Sequence, residues 1–140
     1  GGALSFIKSP KKKVMIATGT GVAPFHAMIL EYLRAGAPMP QAPLVLYWGL
    51  RFETDVYWKD EFDTIASLHP TFSWRLILSR PTDAWQGYRG HVTEQVLETE
   101  KEMEHTEFYL CGNKIMIEEV REALLSKNVP KEQIKTELFY

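Results

Sequence analysis

The sequence predicts an α/β protein, a five-stranded, doubly wound parallel sheet with helices on both faces. Short β-rich runs alternate with longer helical patterns, as parallel βαβ construction requires. The first of these runs, Lys13 to Thr18 (KVMIAT), is continuous and apolar rather than alternating, as a strand covered on both faces should be. A length of 140 residues suits one domain around one core.

Each element follows from local pattern. After the first strand come Gly19-Thr20-Gly21 and a helical stretch from about Pro24 to Arg34, apolar nearly all round and therefore well buried. Gly36 stops it, and Pro38, Pro40 and Pro43 make the following loop. Leu44 to Gly49 (LVLYWG) forms the second strand. Trp58, Phe62 and Ile65 then recur at helical spacing. Phe72 to Ser79 is the third strand, entered through His69-Pro70. Arg80 to Gly90, with Pro81, Gly87 and Gly90, reads as a loop, followed by a short helix near Thr93 to Glu102. Phe108 to Cys111 is the fourth strand. Gly112-Asn113 turns the chain into a helix with Met116, Val120, Ala123 and Leu124 inward and Asn113 as its N-cap. Ile134 to Phe139 is the fifth strand.

Composition excludes several classes. An apolar share of 45% and a charged share of 24% are those of an ordinary globular protein. A net charge of −2 argues against nucleic acid, whose phosphates select basic surfaces. The run Lys11, Lys12, Lys13 reads as a solvated lead-in to the first strand. No apolar stretch approaches the roughly 18 to 20 residues that span a bilayer, and no leader is seen. Cys111, the single cysteine, forms no internal disulfide, which fits a cytoplasmic location. The four histidines show no metal-ligand spacing, so no metal is expected. His26, on a buried helix, reads as structural. The start at Gly1-Gly2, without methionine, suggests a fragment or a tag scar from a longer protein.

Ligands of such sheets bind beyond the carboxyl ends of the strands, where strand order reverses. The first such loop is Thr18-Gly19-Thr20-Gly21-Val22-Ala23-Pro24. Its glycines allow close backbone approach, the helix start offers free amides to phosphate, and Pro24 suits a first helical turn. The same sequence also fits a tight turn with no ligand. Cys111-Gly112-Asn113 occupies the equivalent turn after the fourth strand. There the thiol is either a group with thiolate character beside a helix start or a small buried apolar side chain. Ser79, Arg80, Arg89 and His91 are placed to cradle an adenosine ribose or its 2′-phosphate, or are surface residues of a long loop. Arg51, after Gly49, either joins them or pairs with Glu53 or Asp55.

Taken in order, ATGTGVAPF (17–25), YWGLR (47–51), LSRP (78–81), GHVT (90–93), CGNKIM (111–116) and the acidic-aromatic ending (137–140) resemble the nucleotide domain of the ferredoxin–NADP reductase superfamily. The likeness runs from about residue 13 to the end. Residues 1–12 then correspond to a linker, or to the end of a preceding flavin domain, and residues 13–140 to the NAD(P)-binding domain.

The resemblance implies a Rossmann-like fold and a role as the NAD(P)H-binding half of a flavin-dependent reductase. Thr18 to Pro24, with Gly49, Gly112 and Asn113, would contact the cofactor. Cys111 would sit against the nicotinamide, and Glu137 near the same ring. Phe139 or Tyr140 would stack on the flavin; alternatively Phe139 is a core aromatic and Tyr140 a frayed end. Ser79 and Arg80 would hold the adenosine ribose or its phosphate. FAD would be held mainly by a domain absent from this chain, leaving the fragment alone inactive. Electrons would pass to a ferredoxin, a flavodoxin or an oxygenase component. His91, where NADP-selective members tend to carry Gly-Arg, and the LSxP…W…G…G…VT pattern lean slightly toward NADH. Hydride transfer asks the protein for positioning rather than acid–base groups. The alternative is a non-catalytic nucleotide-sensing domain on the same fold.

Overall fold

The computed structural model describes Phe6 and residues 9–34 and 42–138. Its strands are β1 (Lys12–Thr18), β2 (Leu44–Leu50), β3 (Phe72–Leu78), β4 (Tyr88–Arg89), β5 (Thr106–Gly112) and β6 (Ile134–Leu138). They form one sheet in the order β4-β3-β2-β1-β5-β6, and every neighbouring pair is parallel. The helices are α1 (Val22–Arg34), α2 (Lys59–Leu68), α3 (Val92–Thr99) and α4 (Lys114–Ser126).

Alternation along the strands sorts the core into two layers. Met15, Ala17, Leu46, Trp48 and Tyr109 face α1 and α2, where Phe25, Ile29, Phe62 and Ile65 meet them. Val14, Ile16, Tyr47, Phe108 and Leu110 face α3 and α4, where Val92, Val96, Met116, Val120 and Leu124 meet them. Helices thus cover both faces, as expected. With both faces covered, β5 is buried at every residue.

The structure corrects four details. The segment Arg80 to Gly90 is not all loop: Tyr88 and Arg89 pair with Ile77 and Leu78 as a sixth strand. A two-residue ladder offers no periodicity to read. Trp58 does not belong to the stripe of α2; it precedes the helix at φ 58° and stacks on His26, ring centroids 4.4 Å apart. In α4 the inner stripe includes Ile117, while Ala123 is only half-buried.

The fourth correction concerns the lysines. Lys13 is fully buried rather than solvated. Its Nζ donates to Glu107 Oε1 at 2.9 Å and to the carbonyls of Ser9 and Lys11, both at 3.2 Å. Lys12 reaches Glu100 at 2.6 Å, and Lys11 donates to Gln133 Oε1 at 2.9 Å. The cause is topological. β1 lies in the interior of the sheet, and Lys13 stands in register with Glu107 on β5. A charge at that position is tolerated because it is paired and hydrogen-bonded.

Ahead of β1, the Phe6 ring meets Tyr109 and Tyr32 edge-on, at centroid distances of 5.0 and 5.4 Å. Among the described residues no helix is long and apolar enough to cross a membrane.

Removing one partner of the buried pair leaves the other charge uncompensated. Glu107→Ala is therefore expected to lower the unfolding free energy by about 3–5 kcal/mol. Lys13→Met combined with Glu107→Leu should lower it far less. Guanidinium denaturation of both variants checks this, and equal losses would show that an unpaired charge is not the cause.

Candidate functional site

Strand order reverses at β1, which has β2 on one side and β5 on the other. The chain therefore leaves the carboxyl ends of β1 and β5 toward opposite faces, and a crevice opens between the departing segments. It is a cleft of about 850 Å³. Thr18, Gly19 and Thr20 line it after β1, Gly49, Leu50 and Arg51 at the end of β2, and Ser79 after β3. Gly90, His91, Val92 and Thr93 contribute at the start of α3, and Asn113, Lys114, Ile115 and Met116 at the start of α4. Asp55, Tyr57 and Glu119 complete the wall.

Backbone packing brings the two central segments together. A tight turn at Gly19–Gly21 runs directly into α1. A Cβ at residue 21 would lie 2.3 Å from the Cys111 carbonyl oxygen, so only glycine allows this approach. Asn113 joins the same two segments through its side chain. Its Nδ2 donates to Thr18 Oγ1 at 3.3 Å, while its Oδ1 accepts the Met116 N–H at 2.8 Å and caps α4, as expected. Two helix starts therefore converge on one crevice. At α4 the first amides have no intrahelical acceptor and carry partial positive charge, which suits an anion; at α1 the Val22 N–H already reaches the Thr20 carbonyl and Pro24 has no N–H.

The side beyond β2 and β3 holds Arg51, Ser79 and His91 on the wall. Arg51 pairs with neither acid considered for it. Glu53 accepts the Thr82 N–H at 2.8 Å and the Thr82 hydroxyl, and these bonds hold its carboxyl below the ordinary range. Asp55 Oδ2 accepts the Phe52 N–H at 3.1 Å. Arg89 lies off the wall and folds its own loop, donating to the carbonyls of Thr82 at 3.1 Å, Asp83 at 3.4 Å and Trp85 at 2.6 Å. Arg80 is exposed and also off the wall.

Cys111 is fully buried among the residues under α1 and does not line the cleft. Burial, and secondarily the charge of Glu137, push its thiol up to about 11. Of the two readings of Cys111, the structure shows the small buried apolar side chain rather than the thiolate, since desolvation outweighs any help from the helix start. Glu137 lies half-buried on β6, in register with Cys111. Gly21, Val22, Ala23, Pro24 and Gly112 are not on the wall; Gly21, Val22 and Gly112 are buried, while Ala23 is exposed. Phe139 and Tyr140 lie outside the described residues.

Several wall residues were not expected: Leu50, Asp55, Tyr57, Val92, Thr93, Lys114, Ile115, Met116 and Glu119. Most sit at or within a turn of a helix start, so the rule that drew attention to Gly112-Asn113 extends to Lys114–Met116. Tyr57 carries no such local signal.

Residues 15–122 match the profile of the oxidoreductase NAD-binding domain. The chain is 33% identical over 138 residues to ferredoxin–NADP reductase B of Sorangium cellulosum, covering 94% of the chain and 55% of that protein. It is 31% identical over 135 residues to a component of the Na(+)-translocating NADH-quinone reductase of Methylococcus capsulatus, covering 92% of the chain and 33% of that component. Among solved structures, a cytochrome P450 reductase of Amycolatopsis superposes with a TM-score of 0.83 at 28% identity, over 94% of the chain and 38% of that structure. The chain thus spans about half the length, or less, of these relatives.

A thiol with a pKa near 11 stays protonated through neutral pH. Alkylation of the folded chain by iodoacetamide at pH 8 should run at least about tenfold slower than for a free cysteine, whose pKa is near 8.5. The rate should recover in denaturant. A native rate equal to the denatured one would contradict the burial of Cys111.

Proposed function

The chain belongs to the oxidoreductase NAD-binding domains of the ferredoxin–NADP reductase superfamily, and on that premise we propose that it binds NAD(P)H in this cleft and presents the nicotinamide to a flavin. The observation that carries the reading is the contact of Gly21 with the Cys111 carbonyl, which sets two helix starts side by side around one crevice. The bound nicotinamide supplies a hydride, and the flavin, held by a domain outside this chain, accepts it.

The residues of this chain bind, orient and exclude water. Thr18, Gly19, Thr20 and Asn113 face the pyrophosphate, with Gly21 to Pro24 and Gly112 next to them along the chain. Ser79, Arg51 and His91 take the adenosine ribose. Cys111 packs beneath the nicotinamide end of the cleft as a neutral, apolar side chain without lining it, and Glu137 stands beside it. No proton need move, so the absence of an acid–base pair from this assignment is no obstacle.

NADH is the preferred donor on this reading. A 2′-phosphate calls for charge-assisted, preferably bidentate, arginine contacts. Arg89 is engaged by three loop carbonyls and Arg80 lies off the wall, which leaves Arg51 facing a wall that also carries Asp55 and Glu119. The electron acceptor is a ferredoxin, a flavodoxin or an oxygenase component; the names of the relatives include ferredoxin and cytochrome P450 reductases, which supports the first and third, and a quinone reductase, which lies outside the three.

Two measurements test the reading. Parallel titration of the chain with 5′-AMP and 2′,5′-ADP should show equal or weaker binding of the latter. A tenfold preference for 2′,5′-ADP, about 1.4 kcal/mol, would reverse the donor assignment, and binding of neither would sink the nucleotide site. Then, in the flavin-containing protein, Cys111→Ala should slow stopped-flow flavin reduction by more than it raises the Kd for NADH. An unchanged transfer rate would remove Cys111 from the reaction.

A further inference from the structure

Trp48 lies within the YWGLR stretch (47–51) but carries no expected role in the cleft and does not line it, yet it touches residues on two sides of it. It is fully buried on β2. Its indole Nε1 donates to the Gly19 carbonyl at 2.9 Å. Its ring meets Tyr57 edge-on at 5.0 Å and 77°, and Tyr57 is on the cleft wall. A buried indole N–H needs an acceptor. Here that acceptor is the carbonyl of a loop residue held at φ 54°, in the left-handed region.

The geometry has a consequence for the neighbouring amide. A trans peptide is planar, with its C=O and N–H pointing in opposite directions. The Gly19 carbonyl and the Thr20 N–H share one such plane. Holding the carbonyl down on the buried indole turns the Thr20 N–H away from the core, on the side where Thr20 lines the cleft. Without the indole, the Gly19 carbonyl loses the side-chain bond that holds it, and the short turn Gly19–Gly21 constrains it through backbone alone.

We propose that Trp48 is a positioning residue for the dinucleotide: its indole N–H fixes the Gly19 carbonyl and thereby aims the Thr20 amide at the ligand's phosphates. The proposal rests on the reading of the cleft as a dinucleotide site and assigns to that site a residue that touches no ligand.

The test uses Trp48→Phe, which keeps an aromatic ring and removes the donor. NADH, ADP-ribose and adenosine are titrated into wild type and variant and followed by NMR. Losing one hydrogen bond's worth of orientation should weaken NADH and ADP-ribose about fivefold to tenfold, with adenosine, which has no phosphate, unchanged. Equal weakening of all three would make Trp48 merely structural, and no weakening of any would make its bond irrelevant; either overturns the proposal. Failure of the wild type to bind NADH would sink the nucleotide reading itself, and this proposal with it. Should Trp48→Phe not fold, the assigned Trp48 indole N–H resonance of the wild-type chain decides. It should be protected from exchange and should shift on adding ADP-ribose but not adenosine. A resonance that exchanges freely, or that ignores ADP-ribose, overturns the proposal.

Discussion

The reversal of strand order at β1 is the constraint from which the rest of the architecture follows. Parallel crossovers are right-handed almost without exception. Steps outward from β1 to β2 and β3 therefore lay α1 and α2 on one face. The return to β5 and the step to β6 lay α3 and α4 on the other. Among the described elements, β1 and β5 are the adjacent strands whose following helices leave toward opposite faces. The crevice must open there, and the contact of Gly21 on the Cys111 carbonyl keeps its floor narrow. A side chain at residue 21 would act as a wedge between the two strand ends.

The two poles of the sheet treat polar groups differently. At the amino ends, charges satisfy one another: Lys13 with Glu107, Lys12 with Glu100, and Tyr47, whose hydroxyl donates to Glu100. The Tyr47 hydroxyl is held well above its ordinary pKa by burial and by that carboxylate, so the network is a closed structural one. At the carboxyl ends the first amides of α4 face open space instead. The loop beside them is tied to itself by Arg89, by Trp85 Nε1 donating to the Tyr88 carbonyl at 2.9 Å, and by Glu53 holding Thr82. Across the floor Asn113 bonds Thr18, so two residues of the wall themselves help to keep the cleft's shape.

Much of this was legible in the sequence. The apolar run at Lys13–Thr18, the glycine turn after it and Asn113 at a helix start depend on neighbours along the chain, and each stands where local pattern placed it. What stayed hidden depends on partners far away in sequence. Lys13 reads as a surface residue until β5 brings Glu107 opposite, 94 residues on. Arg89 reads as either a phosphate clamp or a surface arginine until its loop curls back to offer three carbonyls. Cys111 marks the right strand end. Its side, toward the core beneath α1, is fixed by register and packing rather than by its neighbours. Trp48 looks like any core tryptophan, because the direction of an indole N–H leaves no trace in a hydrophobic pattern.

The state of Cys111 bears directly on how such a cleft would work. On the proposed reading, the nicotinamide becomes cationic as it gives up its hydride. A thiolate against the ring would attract that cation, deepening the product state and slowing its release. Binding energy placed on the product rather than on the transition state does not accelerate transfer. Burial, with Glu137 adding to it, keeps the thiol neutral, so on this reading Cys111 packs beneath the cleft without favouring either charge state of the ring. On the same reading, the desolvation that suppresses the thiolate suits Cys111 to packing beneath a site that would hold two rings in register with water excluded.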